Sequence, residues 1–135
     1  MKTFRPDEID LAAIGVVDAT SFGGAADGPT TRTATAIESS DGGIRSGVWD
    51  SAAGQRDFLF PTDEWTYIIE GEAHVTAGGE TRVLQAGDVF YTPAGERMTW
   101  VVPTYVRKVW VHRRPPLSGR IVRKLRKIVR GRLGR

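Results

Sequence analysis

Two short stretches of this sequence decide its fold: residues 64–71, EWTYIIEG, and residues 87–95, GDVFYTPAG. Each contains a run of β-branched and aromatic residues, the composition typical of a strand. Gly71, Gly87 and Gly95 stand at the ends of these runs, and glycine supplies the positive φ that tight turns need. Both stretches are therefore predicted to be short strands bounded by turns.

Strand-like runs separated by turn residues continue on either side of these stretches. Turn residues recur at intervals of about 8–12 residues, a spacing typical of β-sandwiches and β-barrels. The predicted strands are residues 33–39, 44–51, 55–61, 64–70, 72–77, 80–84, 89–92, 97–102 and 106–111. At 135 residues the chain is long enough for one hydrophobic core and too short for two ordinary domains. The sequence predicts a single all-β domain.

The two stretches also resemble the paired signature motifs of the cupin superfamily. In that family the first motif contains two histidines with one residue between them, then a glutamate and a glycine. The second contains a glycine, a Pro-x-Gly and a third histidine. Glu64 and Gly71 match the end of the first motif, and the spacing of the second runs from Gly87 to Met98. The resemblance implies a cupin, or jelly-roll, β-barrel over residues 33–112.

Apolar residues occupy the positions of the three family histidines. Counting back from Glu64 places the first two positions on Phe58 and Phe60, and the third falls on Met98. The sequence around the motifs, including Gly-Val-Trp at 47–49, is most similar to that of the ureidoglycine-aminohydrolase-like and ethanolamine-utilisation-type cupins. The resemblance therefore implies the cupin fold with a changed barrel interior.

Metal binding is not expected from these residue types. A transition metal is commonly held by three or four imidazole or carboxylate ligands, and the motif positions offer one, Glu64. His74 and His112 lie outside the motif positions, and each is expected to be a surface or packed residue. The chain has no cysteine to form a thiolate site. The prediction is a barrel with no metal and no other cofactor.

Alternation along the strands places one set of side chains inside the barrel, because successive strand residues point to opposite faces. With the family parity, the inward set is Phe58, Phe60, Glu64, Thr66, Ile68, Met98, Trp100 and Val102. Trp49 is either core or pocket wall, and one of Arg107 and Lys108 points inward, with the choice left open. Trp65 and Tyr67 take the outward parity, which suits packing or a subunit contact.

This interior supports two interpretations. In the first, the interior is a filled core, and Glu64 either bonds to a backbone amide or to Thr66, or reaches solvent. In the second, the interior is a pocket for one small polar metabolite. The candidate ligand-binding residues are Trp49, Phe58, Phe60, Thr66, Met98, Trp100 and Lys108. The favoured hypothesis is non-catalytic or regulatory binding. The alternative is a metal-independent enzyme in which apolar neighbours raise the pKa of Glu64 and make it a catalytic general acid or base.

Charge divides the chain into an acidic body and a basic tail. All 16 acidic residues lie at or before Glu96, and ten of the 19 basic residues lie between Arg113 and Arg135, which leaves a net charge of −7 on residues 1–112. Residues 117–133 repeat apolar positions at helical spacing, a pattern that predicts a basic amphipathic helix. The predicted organisation is an N-terminal arm with at most one strand at 1–32, a barrel at 33–112 and the basic tail at 113–135.

The charge of the tail indicates its kind of partner. A basic amphipathic helix suits an anionic membrane surface or a partner protein. Nucleic acid is disfavoured, because no aromatic residue interleaves the charges and the acidic body repels phosphate. No export signal is visible and no apolar run approaches the about 20 residues of a membrane span. We therefore expect a cytoplasmic protein, either free of the membrane or peripheral on its inner face through the tail. A homodimer is expected, because the arm and the strand edges offer a means of closure.

Overall fold

The computed structural model describes residues 1–14 and 30–115, and most of these residues lie in strands. One short helix, α1 (Leu11–Ile14), precedes them. The strands are β1 (Thr31–Glu38), β2 (Ile44–Leu59), β3 (Asp63–Ala77), β4 (Glu80–Gln85), β5 (Val89–Thr92) and β6 (Arg97–Arg113). No helix in the described part of the chain is long and apolar enough to cross a membrane. The helix predicted at 117–133 lies outside the described residues.

All six strands pair in one antiparallel sheet with the order β1-β2-β6-β3-β4. β6 lies at its centre and pairs with β2 on one side and β3 on the other. β3 pairs on its second edge with β5 through residues 64–67 and with β4 through residues 72–77. The sheet therefore encloses one interior, and the predicted all-β architecture is confirmed.

Three strands are longer than predicted, because some predicted turns are irregularities inside continuous strands. β2, β3 and β6 each join two of the predicted strands. In β2 the pairing with β6 shifts between Ala52 and Gly54, and in β3 it shifts on both sides of Gly71. Gly54 and Gly71 have φ values of 140° and 77°. Because such a glycine bends a strand and lets it continue, the breaks predicted between strands 44–51 and 55–61 and at Gly71 were wrong.

Alternation along the long strands turns one set of side chains to the barrel interior. The eight side chains predicted to point inward are all at most 5% exposed. Trp49 is buried with them, and Lys108 is the inward member of its pair, at 3% exposure. Trp65 and Tyr67 are exposed on the outer face, in agreement with the opposite parity.

The outward member of the pair, Arg107, fastens the N-terminal segment to the barrel. Its Nη2 donates hydrogen bonds to the carbonyl oxygens of Pro6, at 2.6 Å, and Ile9, at 2.7 Å. Asp10 then accepts a hydrogen bond from the amide of Ala12 at the start of α1, as an N-cap residue does. Residues 1–14 of the arm therefore contain a single helical turn, residues 15–29 lie outside the description, and β1 begins at Thr31, inside the predicted arm.

Gly71 is a position where the fold admits no side chain. A Cβ built there would lie 1.9 Å from the carbonyl oxygen of Tyr105, at a φ of +77°. We expect Gly71→Ala to lower the free energy of unfolding by about 3 kcal/mol or more, because clash and backbone strain add. Gly79→Ala is the matched control, since Gly79 has a φ of +79° and no atom within 4 Å of the added Cβ. It should lose only about 1–2 kcal/mol. Urea unfolding measures both, and equal losses would contradict the close approach of β6.

Candidate functional site: a buried ion pair in the barrel

The carboxylate of Glu64 is the centre of a polar cluster inside the barrel. Lys108 Nζ donates to Glu64 Oε1 at 2.6 Å, and Thr66 Oγ1 donates to the same oxygen at 2.7 Å. His112 Nε2 lies 2.5 Å from Glu64 Oε2. The side chain of Glu64 is 1% exposed and that of Lys108 is 3% exposed. The cluster is thus a buried ion pair with two further hydrogen bonds to its carboxylate.

Strand register brings these side chains together. Glu64 is the direct partner of His112 in the ladder between β3 and β6, and Lys108 lies opposite Ile68 in the same ladder. Paired residues in an antiparallel ladder project from the same face, here the interior. Because Lys108 has a long side chain, it reaches back along the barrel to the carboxylate. One register therefore sets both contacts.

The cluster keeps Glu64 ionised. Burial alone raises the pKa of Glu64. The positive charge of Lys108 and the hydrogen bond from His112 lower this pKa by more than burial raises it, and the net result is a pKa of about 2. The hypothesis that apolar neighbours raise this pKa was therefore wrong in sign. An ionised carboxylate only accepts hydrogen bonds, so His112 must carry its proton on Nε2 and donate it.

Aromatic rings surround the ammonium of Lys108. Its Nζ lies 4.7 Å from the centroid of the Trp100 ring, 5.1 Å from that of Trp49 and 5.7 Å from that of Phe60. Phe58 and Phe60 stack at 5.3 Å, and Trp49 meets Phe58 edge to face at 6.0 Å. These contacts stabilise a cation, since the faces of aromatic rings carry partial negative charge. Lys108 thus occupies an aromatic cage as well as the ion pair.

A cavity of about 140 Å³ opens beside the cluster. Its lining is Thr33, Thr35, Arg45, Trp49, Phe58, Phe60, Glu64, Lys108, Trp110 and His112. Five of the predicted site residues line it, namely Trp49, Phe58, Phe60, Glu64 and Lys108. Thr66 and Trp100 touch the cluster from outside the cavity lining.

Met98 does not belong to this cavity. It lies in a separate groove of about 260 Å³, where its sulfur accepts a hydrogen bond from Thr92 Oγ1 at 3.3 Å. Its predicted place in the ligand site is therefore not supported. The groove is lined on β4 and β5 as well, by residues that include Leu84 and Tyr91.

His112 is the most important residue that the sequence analysis missed. It was expected to be a surface or packed residue, yet it lines the cavity, bonds Glu64 and contacts the rings of Trp110 (4.5 Å) and Phe60 (5.5 Å). A signal was available, because His112 shares the parity of Lys108 on β6. Using it required knowing which of Arg107 and Lys108 points inward.

The residues at the motif positions do not fit a metal ion. Phe58, Phe60 and Met98 offer no nitrogen or oxygen ligand. Glu64 already accepts hydrogen bonds from three donors, and the adjacent ammonium would repel a dication. Within residues 1–14 and 30–115 there is no group of three or more His, Cys, Asp or Glu side chains placed to hold a metal. The positive charge beside Glu64 is supplied by the ammonium group of Lys108.

Comparison with known proteins agrees with the fold and the motifs. The sequence model of the EutQ-like cupin domain matches residues 38–110, more than half of the chain. The chain belongs to this family. The predicted membership of the cupin superfamily, with likeness to ethanolamine-utilisation-type cupins, is therefore confirmed.

Three relatives illustrate how far the likeness extends. The acetate kinase EutQ of Salmonella typhimurium is 39% identical over 67 residues, which cover 47% of this chain and only 27% of that protein. The structure of the Clostridium difficile EutQ protein has a TM-score of 0.68 at 16% identity, over 83% of this chain and 86% of the other. A putative ethanolamine utilization protein Q from Salmonella typhimurium has a TM-score of 0.58 at 28% identity, over 70% and 80%. The EutQ-like cupin described here spans about a quarter of the length of its curated relative.

The lowered pKa of Glu64 predicts how stability depends on pH. A carboxyl group whose pKa falls from 4.5 to about 2 on folding stabilises the barrel above pH 4.5, and this contribution disappears as the pH falls towards 2. Its size is on the order of 3 kcal/mol. In Glu64→Gln this titration is absent, so the stability difference between wild type and variant should shrink between pH 6 and pH 2.5.

Denaturant unfolding at several pH values measures this difference. Glu80→Gln is the control, since Glu80 is a largely exposed carboxylate that forms an ion pair with the exposed Arg82. The control should keep a small and nearly constant difference from wild type. A difference for Glu64→Gln that stayed constant down to pH 2.5 would contradict the ion pair.

Proposed function

We propose that the barrel of this EutQ-like cupin binds a small polar metabolite and does not catalyse its conversion. The observation that carries the proposal is the cavity of about 140 Å³ beside a buried ammonium group. Lys108 has three N–H donors, and within the described residues only Glu64 accepts a hydrogen bond from it. The remaining donors favour a ligand that carries an acceptor group at this end of the cavity.

The charge of the site selects against cationic ligands. Lys108 already fills the aromatic cage and already neutralises Glu64, so a second cation would meet repulsion without a free carboxylate. Arg45 adds another positive side chain to the lining. A neutral ligand with a carbonyl group, or a small carboxylate, matches these donors best.

The cavity also limits the size of the ligand. A closed cavity of ~150 Å³ in another protein holds one benzene molecule, so the present volume corresponds to roughly six non-hydrogen atoms. Trp49, Phe58, Phe60 and Trp110 offer apolar walls to one side of such a molecule. A short-chain carboxylate with a small apolar body satisfies both the walls and Lys108.

Catalysis by Glu64 is the weaker alternative. A general acid must carry a proton near neutral pH, and a strong general base needs a pKa well above that of Glu64, about 2. The relative named acetate kinase shares only 27% of its length with this chain, so phosphoryl transfer is not part of the proposal. Acetate is nevertheless a useful probe, because it is a carboxylate small enough for the cavity.

Binding is tested with acetate, propionate and ethylammonium at constant ionic strength. The two carboxylates should raise the melting temperature in a saturable way and ethylammonium should not. Thr35 lies on the exposed side of the lining, so Thr35→Trp should block the cavity without touching the ion pair and should abolish the response. Ala36→Trp is the matched control, because Ala36 is exposed next to it and outside the lining. An equal response to ethylammonium, or a response that survives in Thr35→Trp, would overturn the proposal.

We also propose that the protein is a homodimer that uses the outer face of β3 and β5. Trp65 lies opposite Tyr91 in this ladder and Tyr67 lies opposite Val89, and all four side chains are at least 39% exposed. Four neighbouring apolar side chains on one sheet face are typical of a contact surface. A two-fold axis would place this patch against its own copy.

Val89→Glu should weaken the dimer, because it places a carboxylate in the centre of an apolar contact. Sedimentation equilibrium should give about twice the 14.8 kDa chain mass for wild type and a mass near 14.8 kDa for the variant. Val83→Glu is the control, since Val83 is similarly exposed but lies on β4. A monomeric wild type, or equal dissociation by Val83→Glu, would contradict this surface.

A further inference from the structure

A row of side chains crosses four strands beside the cavity. Glu38 on β1 is the direct ladder partner of Arg45 on β2. Arg45 is in turn the partner of His112 on β6, and His112 is the partner of Glu64 on β3. Paired residues of an antiparallel ladder project from the same face of the sheet. Arg45, His112 and Glu64 all line the cavity, so the row lies on its wall.

The row runs from the buried end of the cavity to its open end. The side chain of Glu64 is 1% exposed, that of His112 is 17% exposed and that of Arg45 is 51% exposed. Thr35, which also lines the cavity, is exposed as well. Arg45 therefore lies at the mouth of the cavity, whereas Glu64 and its partner Lys108 lie at the inner end.

Two cations thus face the same cavity from its two ends. Lys108 Nζ reaches the inner end of the row, where it lies 2.6 Å from Glu64 Oε1. Neighbouring strands lie about 4.8 Å apart, so the backbones of Glu64 and Arg45 are separated by two such spacings, or roughly 10 Å. The side chain of Arg45 is long and shortens the remaining gap. A small molecule can therefore contact both cations at once.

Arg45 is only weakly engaged by its neighbour. Its Nε lies 3.4 Å from Glu38 Oε2, and both side chains are about half exposed. Such an exposed ion pair contributes little, because water screens both charges. Across the part of the chain that the structure describes, no other polar contact of Arg45 is seen. A guanidinium has five N–H donors, so most of them remain available to a ligand.

We propose that the ligand of this cavity is a short dicarboxylate and that Arg45 recognises its outer carboxylate. This inference rests on the proposed binding of a carboxylate at Lys108. The carbon chain would lie against the apolar walls, which include Phe60 and Trp110. The planar donors of a guanidinium match two carboxylate oxygens. Because the enclosed volume corresponds to roughly six non-hydrogen atoms, the outer carboxylate of a longer ligand lies at the open end, beside Arg45.

The test compares succinate with succinamate, in which a neutral amide of the same size replaces one carboxylate. Both are titrated into the full-length chain at pH 7 and low, constant ionic strength, and isothermal titration calorimetry gives the two dissociation constants. Succinate should bind about threefold to tenfold more tightly, because its second group is charged. Added salt should reduce this ratio of dissociation constants, since it screens exposed charges.

Three variants locate the origin of the ratio. Arg45→Gln should bring it close to one, because the charge at the mouth is removed. Arg82→Gln is the matched control, since Arg82 is an exposed arginine that pairs with the exposed Glu80 and lies outside the cavity lining. It should keep the wild-type ratio. Glu38→Gln should raise the ratio, because the carboxylate that competes for the guanidinium is removed.

The results distinguish failure of this inference from failure of the proposed function. If propionate and succinamate bind saturably but succinate binds no more tightly, the subsite at Arg45 is overturned while carboxylate binding at Lys108 stands. If none of the three binds, both proposals fail. A wild-type ratio in Arg45→Gln, or an equal loss of the ratio in Arg82→Gln, would also overturn the role of Arg45.

Discussion

The barrel depends on the mutual neutralisation of Glu64 and Lys108 inside it. Removing either partner alone leaves an unpaired charge that is at most 3% exposed, a change that typically costs several kcal/mol. The pair also requires one register between β3 and β6, since a slip by one residue would turn Glu64 or Lys108 to the outer face. The aromatic cage and the position of His112 follow from the same register.

Two further ion pairs fix the register of neighbouring strands. Arg32 and Asp50 are direct partners in the ladder between β1 and β2, and Asp63 and Arg113 are direct partners between β3 and β6. Asp63 also accepts a hydrogen bond from the amide of Ala94, which lies just after β5. Each buried acid thus joins two strands, and a shifted register would leave it without its cation.

The sequence was sufficient for the fold and for the inward parity, because both depend on local alternation and on motif spacing. It was insufficient where contacts join distant residues. Glu64 and His112 are 48 positions apart, so neither their contact nor the sign of the pKa shift of Glu64 follows from local pattern. Lys108 could be separated from Arg107 only if residues 97–113 were treated as one continuous strand, because the parity of Trp100 and Val102 then extends to Lys108. The glycine bulges looked like turns, because a bulge and a turn need the same glycine conformation.

The central place of β6 has a consequence for synthesis of the chain. β2 and β3 both pair with β6, yet β6 is the last of the described strands to be made. While the ribosome is still adding residues 97–113, β2 and β3 have free edges where β6 will lie, and their apolar faces are uncovered. Such intermediates expose the nascent chain to aggregation and to binding by chaperones. The described sheet can therefore be completed only after residue 113 has left the ribosome, and slow translation of the final strand prolongs the vulnerable period.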